Sequence, residues 1–156
     1  RAGKELLMAL AAKEKHWDRY HELLVETVDA VSEEERASIL LTATYTALFQ
    51  REDYAGGLEY AGMYRAAAGE GQGGYATNYF EGVAMHGLER HSEAIEKFEK
   101  VLAVEPDAKN TRWLIAESCE ELGRDAEAAG HYAEFAERFP EDDRAKAAKK
   151  KVKRLR

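Results

Sequence analysis

The 156-residue sequence predicts an all-α molecule: a stack, or solenoid, of about four helical hairpins closed by a C-terminal capping helix. Three observations carry that reading. Side-chain size recurs at a fixed interval, because Ala94 to Ala128, Phe98 to Tyr132, Gly82 to Ala116 and Pro106 to Pro140 are each 34 residues apart. A period near 34 is the length of a two-helix unit that cannot bury its apolar face alone and stacks on its neighbours. Apolar residues also recur at helical spacing, and no run alternates as a strand does. Finally, 45% apolar residues, 34% charged residues and only two prolines describe one ordinary globular domain.

The hairpins follow in chain order. Residues 1–31 place Leu6, Leu7, Leu10 and Ala11 on one helix face, turn at His16-Trp17-Asp18, and place Tyr20, Leu23, Leu24 and Val28 on a second face. The start Leu6-Leu7-Met8 reads as exposed apolar surface, which favours end-to-end contact or a missing upstream repeat. Residues 32–69 open with a capping box, Ser32 to Glu35, before a helix containing Leu41, Tyr45 and Leu48. A short turn at Glu52-Asp53 leads into a helix carrying Gly57, Leu58, Tyr60, Ala61 and Tyr64. Residues 69–74 contain four glycines and read as a loop.

Residues 74–106 and 108–140 are the third and fourth hairpins. In the fourth, Trp113, Leu114, Ile115 and Ala116 begin an apolar pattern that stops at Leu122-Gly123. Asp125 then offers an N-cap for a helix with Ala128, Ala129, Tyr132, Phe135 and Ala136. The small residues have a steric purpose: Gly82 with Ala94, and Ala116 with Ala128, sit where paired helices cross closest. After Pro140, the stripe Ala145, Ala148, Val152 and Leu155 makes residues 141–156 a capping helix, with acids at its start and bases along its later turns.

The recurring residues resemble those of the tetratricopeptide repeat family. Gly82, Ala94, Phe98 and Pro106 carry the likeness in one repeat, and Ala116, Gly123, Ala128, Tyr132 and Pro140 in the next. Asn78 and Glu89 depart from it, standing where the family has a large aromatic and a turn glycine. Tyr45 occupies a normally small site, and Gly57 opposite it is smaller than the usual alanine, so the swap roughly conserves volume. The resemblance implies a concave surface, lined by the first helix of each hairpin, that grips partner segments.

Charge and chemistry narrow the function. Residues 1–140 carry a balance of −12 and residues 141–156 one of +5, giving the net −7. An acidic body repels phosphate backbones, which speaks against nucleic acid. The longest uncharged run, Ala37 to Gln50, is 14 residues with four Ser or Thr, too short and polar to span a membrane. The basic C-terminal helix could touch an anionic membrane, but its alanine stripe offers little area for insertion, which favours a cap.

Residues 69–74 match G-x-G-x-x-G, yet a helical pattern rather than a strand precedes them, so no nucleotide cofactor is expected. His16, His21, His86, His91 and His131 show no metal-ligand spacing, and no metal is expected. Cys119, the single cysteine, falls on an inward face as an inert thiol. No nucleophile elbow or triad pattern is present, and carboxylates such as Glu93 and Glu96 sit at helical spacing from Lys97 and Lys100 as ordinary surface pairs, so no catalytic residue is assigned. The chain starts at Arg1 without methionine, as an excised piece would. Its single cysteine suits the cytoplasm, while a periplasmic or membrane-tethered domain would read the same.

The family's concave face, carried over, comprises Glu5, Ala9 and Ala12, then Thr42, Thr46, Phe49 and Gln50, then Tyr79, Val83 and His86, then Asn110, Trp113, Glu117 and Glu120. Family members that hold acidic chaperone tails use a Lys, Asn and Arg clamp on this face. Glu5, Ala9, Thr42, Thr46, Tyr79 and Val83 stand in its places, so such tails are not expected to bind. The groove offers instead Phe49, Tyr79 and Trp113 with acids at one end. That suits a protein or peptide with apolar anchors and a basic end. The expected function is a non-enzymatic interaction scaffold; the alternative is a structural subunit that self-assembles through its ends.

Overall fold

In the computed structural model, which describes the backbone of residues 2–156 and the side chains of 3–71 and 74–156, every regular element is helical. In order these are α1 (Ala2–Lys13), α2 (Trp17–Val28), α3 (Glu33–Tyr45) with a π-helical turn (Thr46–Gln50), α4 (Tyr54–Gly87), α5 (His91–Val104), α6 (Lys109–Glu121), α7 (Asp125–Arg138) and α8 (Ala145–Leu155). Each helix packs on the next in the chain, and α8 lies on α7. None of the helices described is long and apolar enough to cross a membrane.

The period is written in the backbone as well as in the sequence. Lys15, Glu52, Glu89 and Gly123 all take positive φ, of 59°, 54°, 61° and 69°, each at the turn between the two helices of a hairpin. For Gly123 this conformation is free; for the other three a Cβ crowds the backbone, at about 1 kcal/mol each. The Glu89→Gly variant is therefore expected to gain about 0.5–1 kcal/mol, read as a higher urea midpoint at unchanged slope.

Interior positions repeat in step. Leu24, Ala61, Phe98 and Tyr132 occupy one equivalent site in the four second helices, and all are fully buried. The interior forms two clusters. One runs from Met8 through Leu24 and Leu40 to Tyr64; the other runs from Met85 through Phe98 and Ile115 to Ala148, and α4 contributes to both. A Cβ at Gly82 would run into the Phe98 ring, and one at Gly57 into Leu48. These glycines let a large neighbour lie against backbone.

Several expectations change. Residues 69–74 are not a loop: α4 runs through them, broken only at Gly69 (φ 74°, ψ 167°), a conformation that belongs essentially to glycine. Gly69 stands at the repeat position of Pro106 and Pro140, so the surplus residues lengthen the first helix of the third hairpin by nearly a turn. The partner of Gly57 is Leu48 rather than Tyr45, because α3 buries Leu40, Ala43 and Thr44 and turns Tyr45 outward. Thr44 can be buried because its hydroxyl donates to the Leu40 carbonyl at 2.7 Å.

In α1 the buried residues are Met8 and Ala11, while Leu6, Leu7 and Leu10 are exposed. Trp17 and Asp18 lie within α2 rather than in the turn. Asp125 is the first residue of α7, not its cap, and acts through the helix dipole. The Ser32–Glu35 capping box forms as the sequence predicts.

Candidate functional site

Helical phase decides where the groove residues lie. In α3 the buried threonine directs Tyr45 and Phe49 to the surface, with ring centroids 4.9 Å apart. The π-helical turn closes on wider bonds, Arg51 N to the Thr46 carbonyl and Asp53 N to the Ala47 carbonyl, and brings Phe49 edge-on to Phe80 at 6.4 Å. The added turn of α4 carries Tyr75 one turn before Tyr79. Tyr45, Phe49, Tyr75, Tyr79 and Phe80 thus converge on a cleft of about 650 Å³, completed by Asp107 to Thr111 at the start of α6. Its rim charges are already matched, Asp107 by Arg138 at 3.0 Å and Lys109 by Asp142 at 3.2 Å.

Of the residues expected on the concave face, Phe49, Tyr79 and Asn110 meet in this cleft, where Asn110 Oδ1 accepts from Arg144 at 2.8 Å. Burial raises the Tyr79 hydroxyl above its usual pKa. His86, Glu117 and Glu120 line a second pocket of about 440 Å³. Thr42 lines a smaller one with Glu5, Met8 and Tyr20. Thr46 and Val83 are half-buried, Val83 against the C-terminal core.

Trp113 is half-buried: it packs edge-on against Tyr132 and Phe135 at 5.1 and 5.2 Å, and the Arg144 guanidinium lies 5.5 Å from its ring. Glu120 is held by Lys151 at 2.8 Å, by Arg154, and by the Tyr132 hydroxyl, which donates at 2.9 Å. The capping helix therefore covers the end of the groove where these two residues lie. Tyr45, Tyr75 and Phe80 were absent from the sequence expectation. For the two tyrosines the signal was there, as aromatic pairs four residues apart at Tyr45–Phe49 and Tyr75–Tyr79.

His86 Nδ1 is hydrogen-bonded to Ser118 Oγ at 2.9 Å, and its Nε2 lies 3.8 Å from Glu117. Burial outweighs that carboxylate and holds the His86 pKa below its usual value; burial and Arg112 do the same for His131. Both imidazoles stay neutral in the fold while the unfolded chain protonates near pH 6.5. Stability is thus expected to be level above about pH 6.5 and to fall as the pH drops below it. The urea midpoint should be lower at pH 5.5 than at pH 7.5, a window above the carboxylate range.

Cys119 is buried and its thiol pKa is raised by burial and by Glu127, which suits packing rather than nucleophilic chemistry. Among the described residues no group of three or more His, Cys, Asp or Glu is arranged to hold a metal ion.

Residues 86–152 match the tetratricopeptide repeat family model. No curated protein matches the chain. Among solved structures, the Arabidopsis OM64 TPR domain superposes with a TM-score of 0.67 at 15% identity, over 79% of this chain and 98% of that one. A point variant of MamA gives 0.55 at 28% identity, over 85% of this chain and 92% of its own. MamA AMB-1 gives 0.58 at 16% identity, over 99% and 98%. With size-matched residues at period 34, hairpins turning at equivalent residues, and these likenesses, the chain has the fold of a tetratricopeptide repeat domain, and its residues 86–152 carry that family's sequence pattern.

Proposed function

We propose that this chain is a non-enzymatic scaffold, residues 1–156 acting as one domain that binds a segment of a partner protein in its concave groove. Tetratricopeptide repeats generally mediate protein–protein interaction and have no catalytic activity of their own. The observation that carries the reading here is the convergence of Tyr45, Phe49, Tyr75, Tyr79 and Phe80 on one open cleft. Tyr45, Phe49 and Tyr75 each leave more than two-fifths of their surface in solvent. Rings with few rotatable bonds lose little entropy when a partner's apolar side chains cover them. We read the repeats as approximately 1–31, 32–69, 74–106 and 108–140, with 141–156 as the cap and the continuous α4 joining the second to the third.

The test is capture of a partner by the intact chain, followed by titration against a Phe49→Ala/Tyr79→Ala double variant. Affinity should drop by about thirtyfold or more. A partner held equally well by a variant of unchanged helical circular dichroism overturns the reading.

A second reading has an observation of its own. Leu6, Leu7 and Leu10 leave an apolar face of α1 in solvent at the N-terminal end, which suits self-association through that end. Light scattering across concentrations separates the two, since a pure adaptor keeps one mass.

A further inference from the structure

The aromatic cleft does not end where its rings end. Helices α4 and α6 run side by side and meet at two levels: Tyr79 and Asn110 line one cleft, and His86 is hydrogen-bonded to Ser118 at 2.9 Å. Seven residues separate Tyr79 from His86 and seven separate Asn110 from Glu117, about 10 Å of rise on each helix. At the far level the strip opens into the pocket of about 440 Å³ walled by Tyr54, His86, Glu89, His91, Glu117, Glu120, Glu121 and Lys151.

Charge in that pocket is one-sided. Glu120 is matched by Lys151 and Arg154. Among the described residues Glu89, Glu117 and Glu121 have no lysine or arginine ion pair within 4 Å; Glu117 faces His86, whose pKa burial lowers, and feels Arg144 only at longer range. The Tyr54 ring supplies a wall on which a planar cation can stack.

We infer that this pocket is a subsite for a cationic side chain, so that the segment taken by the groove carries an apolar anchor and an arginine or lysine three residues from it. The inference rests on the groove reading above. Three residues of extended chain span about 10 Å, the distance between the two levels. The anchor enters the ring cleft while the cation meets Glu117 and Glu121. Arginine fits better than lysine, since its planar fork pairs with a carboxylate and stacks on a ring together.

A displayed library of random 12-residue peptides, panned on the full chain, tests this, with enriched peptides then titrated by fluorescence anisotropy. The expected consensus is a bulky apolar residue with arginine or lysine three positions away. Glu117→Gln/Glu121→Gln should weaken those peptides about tenfold and flatten their salt dependence. The same variant should leave unchanged the affinity of a peptide whose basic residue is replaced by glutamine.

An apolar consensus with no basic residue at that spacing, or no loss in the glutamine variant, overturns the subsite and leaves the groove standing. If nothing is enriched, or the enriched peptides ignore Phe49→Ala/Tyr79→Ala, the groove falls and the subsite with it.

Discussion

Phe98→Ala is expected to lower the unfolding free energy by about 3–5 kcal/mol, a large share of the stability of a domain this size. Phe98 is fully buried, and its ring edge lies where Gly82 has no side chain. Gly82→Leu should cost about 1–3 kcal/mol on its own, by driving atoms into that ring. Together the two changes should cost clearly less than their sum, because the leucine would occupy the space the ring leaves. Urea unfolding of the four members of the cycle measures this. Strict additivity would mean that size complementarity between these two sites is not what sets the approach of α4 and α5.

The second large effect concerns charge inside α4. Glu81 is buried and accepts from Arg65 at 3.0 Å and from Lys97 at 2.6 Å, while Arg65 also reaches Asn78 and Glu70. Glu81→Ala leaves two cations, each about a quarter exposed, without their shared carboxylate. The expected loss is about 2–3 kcal/mol, below the value for a fully buried pair because water still reaches both partners. A triple variant with methionine at 65, 81 and 97 should recover most of it, since no buried charge is then left unpaired and Glu70, which also loses Arg65, is exposed to water. If Glu81→Ala unfolds at the same urea concentration as the parent chain, the network contributes nothing.

What the sequence made legible was steric. Gly82, Ala94, Ala116 and Ala128 must be small for paired helices to touch, and Phe98 and Tyr132 must be large to fill the gap, so their spacing announced the hairpins. The Ser32 capping box was equally readable, because its chemistry is local. Residues 69–74 were not: glycine composition argues for a loop. Here packing on both sides of α4, with Arg65 bonded to Glu70 across the break, overrides weak helix propensity.

The phase of α3 was hidden by Thr44, a polar letter that buries itself by bonding its own helix. That error kept Tyr45 out of the expected groove, as the presumed loop kept out Tyr75. The covering of Trp113 and Glu120 by Arg144, Lys151 and Arg154 joins residues some thirty positions apart, and no local pattern signals it.

One rod, α4, serves both interiors and also carries Tyr75, Tyr79 and Phe80. A guest seated among those rings would touch α3, α4 and α6 at once, and so would brace both halves of the molecule against melting. Thermal denaturation would then report occupancy: each tenfold excess of guest over its dissociation constant adds a further ~1.4 kcal/mol of resistance, felt as far away as α1 and α8.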